Sequence, residues 1–145
     1  MIYDQADIVA RRLLGQKVGE RVYYETAKTS EDIQRILHTK ARVVITAPRQ
    51  IGKTDSLLKY AENKNPDGQF CVVSPNAEIQ RKIIHSHWML RKPLEVNPPL
   101  MLTPDNLELL RGHHKPVYVD EYNSLPEDAQ KAILDSGLFV AAVTS

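Results

Sequence analysis

The stretch "RVVITAPRQIGKTD", residues 42–55, carries the reading of the whole chain. Its first half is a short, almost entirely apolar run, the pattern of a strand buried on both faces. Its second half ends in Gly52, Lys53 and Thr54, and the "KTDSLLKYAEN" that begins there is expected to be helical. A strand, a tight turn and a helix N-terminus, in that order, make a place where backbone N–H groups gather around an anion. The motif G-x-x-x-x-G-K-[ST] is met at its end but not at its start, where Ala47 replaces glycine. Ala47 is tolerable there provided its φ is negative. On this reading Ala47, Pro48, Arg49, Gln50, Ile51, Gly52, Lys53, Thr54 and Asp55 cradle a phosphate chain. Gly52 lets the backbone come close, Lys53 neutralises the β- and γ-phosphates, and the Thr54 hydroxyl binds Mg²⁺. Taken alone, Gly-Lys-Thr fits an ordinary strand–turn–helix as well.

A second stretch decides between the two. "PVYVDE", residues 116–121, is an apolar strand that ends in Asp120 and Glu121. Two adjacent carboxylates at a buried strand tip repel each other and lose hydration unless a cation lies nearby. With a phosphate loop in the same chain, Asp120 becomes a holder of Mg²⁺ and Glu121 a candidate to orient or deprotonate an attacking water. Lys53 and Glu121 are therefore the candidate catalytic residues, Thr54 and Asp120 the candidate metal residues, and ATP with Mg²⁺ the expected ligand pair.

The rest of the chain alternates strand and helix patterns. Residues 6–14 have helical spacing, and "RVYYETA" (21–27) is a short β-rich run. Ser30 is the expected N-cap of a helix with Ile33, Ile36 and Leu37 on its apolar stripe. "QFCVVSP" is a buried strand, and "NAEIQRKIIHSHWMLRK" a helix that stops before Pro93. "LMLTP" is a short strand, "DNLELLRG" a helical turn or two, "SLPEDAQKAILDSG" a helix, and "LFVAAVTS" a last strand. Such alternation predicts an α/β domain with a mainly parallel sheet, five strands in number, and helices on both faces. We divide it into an N-terminal extension, residues 1–40, and a core, residues 41–145.

Bulk properties leave this reading open. The chain has 145 residues, enough for one core, and a net charge of +1, which announces no nucleic-acid binder. Cys71 is the one cysteine, so an internal disulfide is excluded, and its place in an apolar strand predicts a buried, inert thiol. No apolar run is long enough to span a membrane, and the start lacks a signal-peptide layout, so a cytoplasmic protein without a membrane partner is expected. His85 with His87, and His113 with His114, lack a third ligand and suggest no metal site. The basic residues Arg81, Lys82, Arg91 and Lys92 around Trp88 read as a solvated helix face, and Trp88 itself as core.

Four motifs in order also resemble a known superfamily. "APRQIGKT" is similar to the "APTGSGKT" loop of superfamily-two helicases. "SPNAEIQ" resembles their motif Ia, "LTPDNLELL" their T-P-x-x-L element, which precedes the Asp-Glu strand at a similar spacing, and "AVTS" their motif III. Arg49 and Gln50 shift the likeness towards the ATPase domain of phage large terminases, the motors that package DNA. The resemblance implies a minimal phosphate-loop NTPase of the RecA-like (ASCE) class, in three layers, with the motif III strand between the Walker A and Walker B strands. It implies ATP hydrolysis coupled to DNA in a packaging or remodelling assembly with other subunits, in the host cytoplasm if the chain is phage-encoded. It casts Arg49 as an arginine finger supplied in cis, Gln34 as an adenine contact, and Thr144 and Ser145 as sensors of the γ-phosphate. Tyr122 departs from the small residue usual after the Walker B pair. No second RecA-like domain or nuclease domain fits into the residues left over. Two other readings therefore stand beside it: a non-catalytic nucleotide-binding module that regulates or scaffolds partners, and half of a helicase completed by another chain.

Overall fold

The structure, a computed structural model, describes residues 21–85, 99–110 and 115–145. The expected helix at 6–14, the far end of the helix predicted for residues 76–92 with Trp88 and His87, and the His113–His114 pair lie outside these residues. Six strands form one sheet, β1 (Tyr23–Thr26), β2 (Val43–Thr46), β3 (Cys71–Val73), β4 (Leu100–Leu102), β5 (Val117–Val119) and β6 (Phe139–Thr144). Their spatial order is β1-β2-β6-β5-β3-β4, and every pairing is parallel. The sheet thus has one strand more than the five expected, and it is wholly rather than mainly parallel. The extra strand is β1, whose Tyr23 registers with Val43 of β2. The division at residue 40 accordingly falls inside one continuous sheet-and-helix unit.

Four α-helices are described: α1 (Ser30–Thr39), α2 (Lys53–Lys64), α3 (Ala77–Ile83) and α4 (Glu127–Asp135). Helix α1 begins one residue earlier than the sequence suggested, because Thr29 rather than Ser30 is its N-cap: the Thr29 hydroxyl accepts the Asp32 N–H. Either hydroxyl suits a cap, so composition does not separate them. Short 3₁₀ turns follow β4 (Pro104–Leu110) and β5 (Tyr122–Ser124).

Because the sheet is covered on both faces, its strands are apolar almost throughout. On one face Val43, Ile45, Val72, Tyr118 and Val143 pack under Ile33, Ile36 and Leu37 of α1 and Leu57, Leu58 and Ala61 of α2. On the other, Val44, Val73, Val119 and Ala142 meet Ala129 and Ile133 of α4. A bulge between β5 and β6 skips Val140, so that Phe139 and Ala141, two apart, serve opposite layers. Helix α2 is tied to β5 at both ends. Near its C-terminus Asn65 Nδ2 donates to the Tyr118 hydroxyl at 3.2 Å, and at its N-terminus the Thr54 hydroxyl donates to Asp120 Oδ1 at 2.7 Å. No helix among the described residues is long and apolar enough to cross a membrane.

Candidate functional site

The C-terminal tips of β2, β6 and β5 and the N-terminus of α2 converge at one edge of the sheet, the edge where ligands sit in open parallel α/β folds. The turn from β2 to α2 is built by two left-handed residues, Gln50 at φ 65° and Gly52 at φ 76°. Gly52 is the N-cap position and offers no side-chain cap, so the first N–H groups of α2 have no partner from that residue. Helices α1 and α3, by contrast, are capped by Thr29 and Asn76. Ala47 is not among the residues of positive φ, is buried, and donates its N–H to the Thr144 carbonyl at 2.9 Å. Alanine at the opening position is therefore unstrained.

The first turn of α2 faces the two carboxylates. Lys53 Nζ lies 3.0 Å from Glu121 Oε1, and the lysine side chain is only 9% exposed. Thr54 holds Asp120, which is buried to 3% exposure. Burial raises the Asp120 carboxyl above the ordinary aspartate value. The Thr54 hydroxyl pulls it down, neighbouring Glu121 pushes it up, Lys53 pulls it down, and burial prevails. The cation that the adjacent carboxylates require is thus supplied by Lys53. Glu121 itself adopts a left-handed conformation at φ 50°, unusual for a residue other than glycine. Such strain gathers where a side chain must be aimed. Tyr122, the bulky departure at this tip, is buried in the opposite layer with Leu125 and Ala129 and leaves the carboxylates clear.

The two residues expected to sense a phosphate, Thr144 at the end of β6 and Ser145 just after it, take different parts. The Ser145 hydroxyl donates to Glu121 Oε1 at 3.5 Å. The Thr144 hydroxyl accepts the Asn123 N–H at 3.0 Å, which holds the turn after β5 instead of facing Glu121. Gln130 of α4 braces the same turn through the carbonyls of Tyr122 and Leu125.

The remaining candidates stand apart from this cluster. Arg49 is exposed on the loop, with no ion pair to a described carboxylate. Asp55 pairs with Lys59 at 3.0 Å on the exposed side of α2. Gln34 of α1 donates to the Ser56 carbonyl at 2.7 Å. It lines an open cleft of about 410 Å³ with Ser30, Glu31, Ser56, Lys59 and Asn63. Gln34 is therefore fixed near the start of α2, at a carbonyl three residues on from Lys53 and two from Thr54. Cys71 is buried, and burial pushes its thiol up to about 12, which makes it inert as expected.

Among the described residues no group of three or more His, Cys, Asp or Glu side chains gathers to hold a metal. A magnesium ion that travels with phosphates needs no such group, since one or two carboxylates or hydroxyls, water and the phosphates complete its shell. Thr54 and Asp120 form a donor set of that kind. One polar atom here escaped sequence reasoning. Ser74 follows β3, is fully buried, and its hydroxyl has no hydrogen-bond partner. The sequence signal was its position directly after an apolar strand in "CVVSP".

A comparison with known protein families, curated proteins and solved structures finds no match for this chain.

Proposed function

We propose that the chain binds ATP with Mg²⁺ at the β2–α2 loop and hydrolyses it, as a minimal phosphate-loop NTPase of RecA-like type. One observation carries the reading: the first two residues of α2, Lys53 and Thr54, meet Glu121 and Asp120 at 3.0 and 2.7 Å. An accidental Gly-Lys-Thr would have no reason to bring its lysine and threonine onto the adjacent carboxylates at the tip of β5. The absence of a side-chain cap at Gly52 supports it too, because the open N–H groups of α2 suit a phosphate.

In this reading the phosphates take Lys53 from Glu121. The pair is mostly shielded from water, so the exchange trades one close anion for another instead of stripping a hydrated lysine. Glu121, released, would accept a proton from a water attacking the γ-phosphate in line, as the β–γ bridging P–O bond breaks and ADP leaves. Ser145 holds the same carboxylate and would report its release to β6. Thr54 and Asp120 would hold the magnesium ion, which neutralises charge on the β- and γ-oxygens. Arg49, exposed on the loop, would be the cation supplied in cis to the γ-phosphate. The likeness to phage terminases supports coupling to DNA and to other subunits. A second reading, a nucleotide-binding module without turnover, is favoured by the Lys53–Glu121 pair itself, which keeps the base engaged.

The test is a calorimetric titration with Mg·ATP, followed by single-turnover hydrolysis with and without DNA. Lys53→Ala is expected to abolish binding, and unchanged affinity in that variant would remove the phosphate-loop reading. Glu121→Gln is expected to retain binding and slow turnover by about 100-fold or more. Arg49→Ala should bind and lose most hydrolysis, with poor rescue by Arg49→Lys, because an ammonium lacks the planar fork. Binding without turnover in the unmodified chain selects the second reading.

A further inference from the structure

We propose that Ser74 is a positioning residue for the magnesium ion of the nucleotide site, its hydroxyl bonding to the hydration shell of a cation held at Asp120. The inference rests on the nucleotide reading above and extends it to a residue on a different strand.

The argument begins with an imbalance. Ser74 is 0% exposed and its Oγ has neither donor nor acceptor within reach. Buried hydroxyls are nearly always satisfied, because burying one without a partner costs its full hydration. The ordinary partner of a buried serine at a strand end is a nearby carbonyl, and Ser74 has none. Its own N–H, by contrast, is used, donated to the Leu102 carbonyl at 2.9 Å. The backbone is settled and the side chain is not.

Register then says what the hydroxyl faces. Val73 pairs with Val119 of β5 and with Leu102 of β4, so the next step along the sheet places Ser74 beside Asp120 on one side and Thr103 on the other. The Asp120 N–H donates to the Val73 carbonyl at 2.9 Å, which carries that register to the strand tip. Val72 and Tyr118 belong to the layer under α2, and Val73 and Val119 to the opposite layer. Alternation puts Ser74 and Asp120 on the α2 face together. The Thr54–Asp120 bond agrees for Asp120.

The chemistry of the neighbour selects the ligand. A carboxylate stands between Ser74 and the phosphate loop, because β5 lies between β3 and the pair β6 and β2. A phosphate oxygen approaching Ser74 would meet that negative charge first. A hydrated divalent cation would be drawn to it, and magnesium keeps several waters when it binds. A neutral hydroxyl that both donates and accepts, with no competing partner, suits an outer position in such a shell. Thr54, at the start of α2, and Ser74, just after β3, would then flank Asp120 and fix the carboxylate's partner from both sides.

The test uses the full chain with Ser74→Ala, which removes the hydroxyl and little volume. Magnesium is titrated into protein with a non-hydrolysable ATP analogue, and binding is read by calorimetry. Expected are a half-saturating Mg²⁺ concentration raised about tenfold, the scale seen when an outer-shell partner is lost, and unchanged binding of the analogue in EDTA. The Tm without nucleotide should stay level or rise, since an unsatisfied hydroxyl has been removed. An unchanged Mg²⁺ dependence overturns the proposal, whatever the Tm. A lowered Tm with unchanged Mg²⁺ dependence assigns Ser74 to a structural water and overturns it too. If the unmodified chain binds no analogue at all, this proposal falls together with the nucleotide reading. If the unmodified chain binds in a Mg²⁺-dependent way and Ser74→Ala does the same, only this proposal falls.

Discussion

Asp120 shows what a buried carboxylate costs its own fold. It is almost wholly inside, and burial lifts its pKa above that of the unfolded chain. Between the unfolded value and the raised folded value, the folded protein holds more proton than the unfolded one. Stability from this group is therefore fully present at low pH and is lost as the pH rises through the folded pKa. Asp120→Asn keeps an oxygen to accept the Thr54 hydroxyl and removes the desolvated charge. At pH 7 to 8 and without nucleotide, that variant should melt higher than the parent by about 2–8 °C, what roughly 1 kcal/mol does in a chain of this size. The gap should close as the pH is lowered through the carboxyl's titration. Melting curves across that range check it, and a variant that melts lower than the parent at pH 8 would mean that the charge is compensated in the free protein. The same substitution should weaken Mg²⁺-dependent nucleotide binding. Sequence could expose the Asp-Glu pair and the Gly-Lys-Thr, because type and spacing are written in the chain. It could not show that Lys53 takes Glu121 while Thr54 takes Asp120, nor that Ser74 is left over, because partner choice depends on register between strands far apart in sequence.

At the scale of elements, the β2–α2 turn asks for two left-handed residues and has one glycine. Gln50 carries the other at φ 65°. Gln50→Gly should therefore relieve about 1–2 kcal/mol of left-handed strain, offset by about 0.4–1 kcal/mol for the greater freedom glycine gives the unfolded chain, and leave the free protein more stable by up to about 1 kcal/mol. Gly52→Ala should cost about 1–2 kcal/mol through backbone strain alone, since nothing lies within 4 Å of the added Cβ. Chemical denaturation of both variants checks the pair, and equal stabilities would mean that the turn relaxes out of its left-handed geometry. The sequence reading found every described strand and helix because alternation of buried runs with amphipathic stripes is a local signal. It missed the cap of α1 by one residue, since Thr29 and Ser30 are both competent hydroxyls. It set "RVYYETA" apart from the core because half of that strand is polar. An edge strand needs burial on fewer sides, and Tyr23 and Glu25 alternate with exposed neighbours accordingly.

For the whole molecule, the expected place of the last strand between the two site-bearing strands agrees with the structure: β6 pairs with β2 on one side and β5 on the other. That order came from likeness, since no local pattern in "LFVAAVTS" says which strands it will join. Its position has a consequence for how the chain acquires its shape. Until β6 is in place, β1 and β2 form one ribbon, β5, β3 and β4 another, and no strand pairing connects them. β6, which follows the other five strands in sequence, is the keystone of the sheet, so the two ribbons must wait with the edges of β2 and β5 open. Val43 pairs with Ala141 across most of the described chain, a contact whose loop closure is slow. Open edges of this kind invite pairing with other chains. In pulse-labelled hydrogen exchange during refolding, the amides of β2 and β5 should gain protection in the same late phase as β6. Early protection of β2 alone would contradict this. Refolding yield should fall as protein concentration rises, while a preformed sheet at the same concentration stays monodisperse. The vulnerable period of this protein is thus set by the timing of one strand's arrival and not by the depth of its finished core.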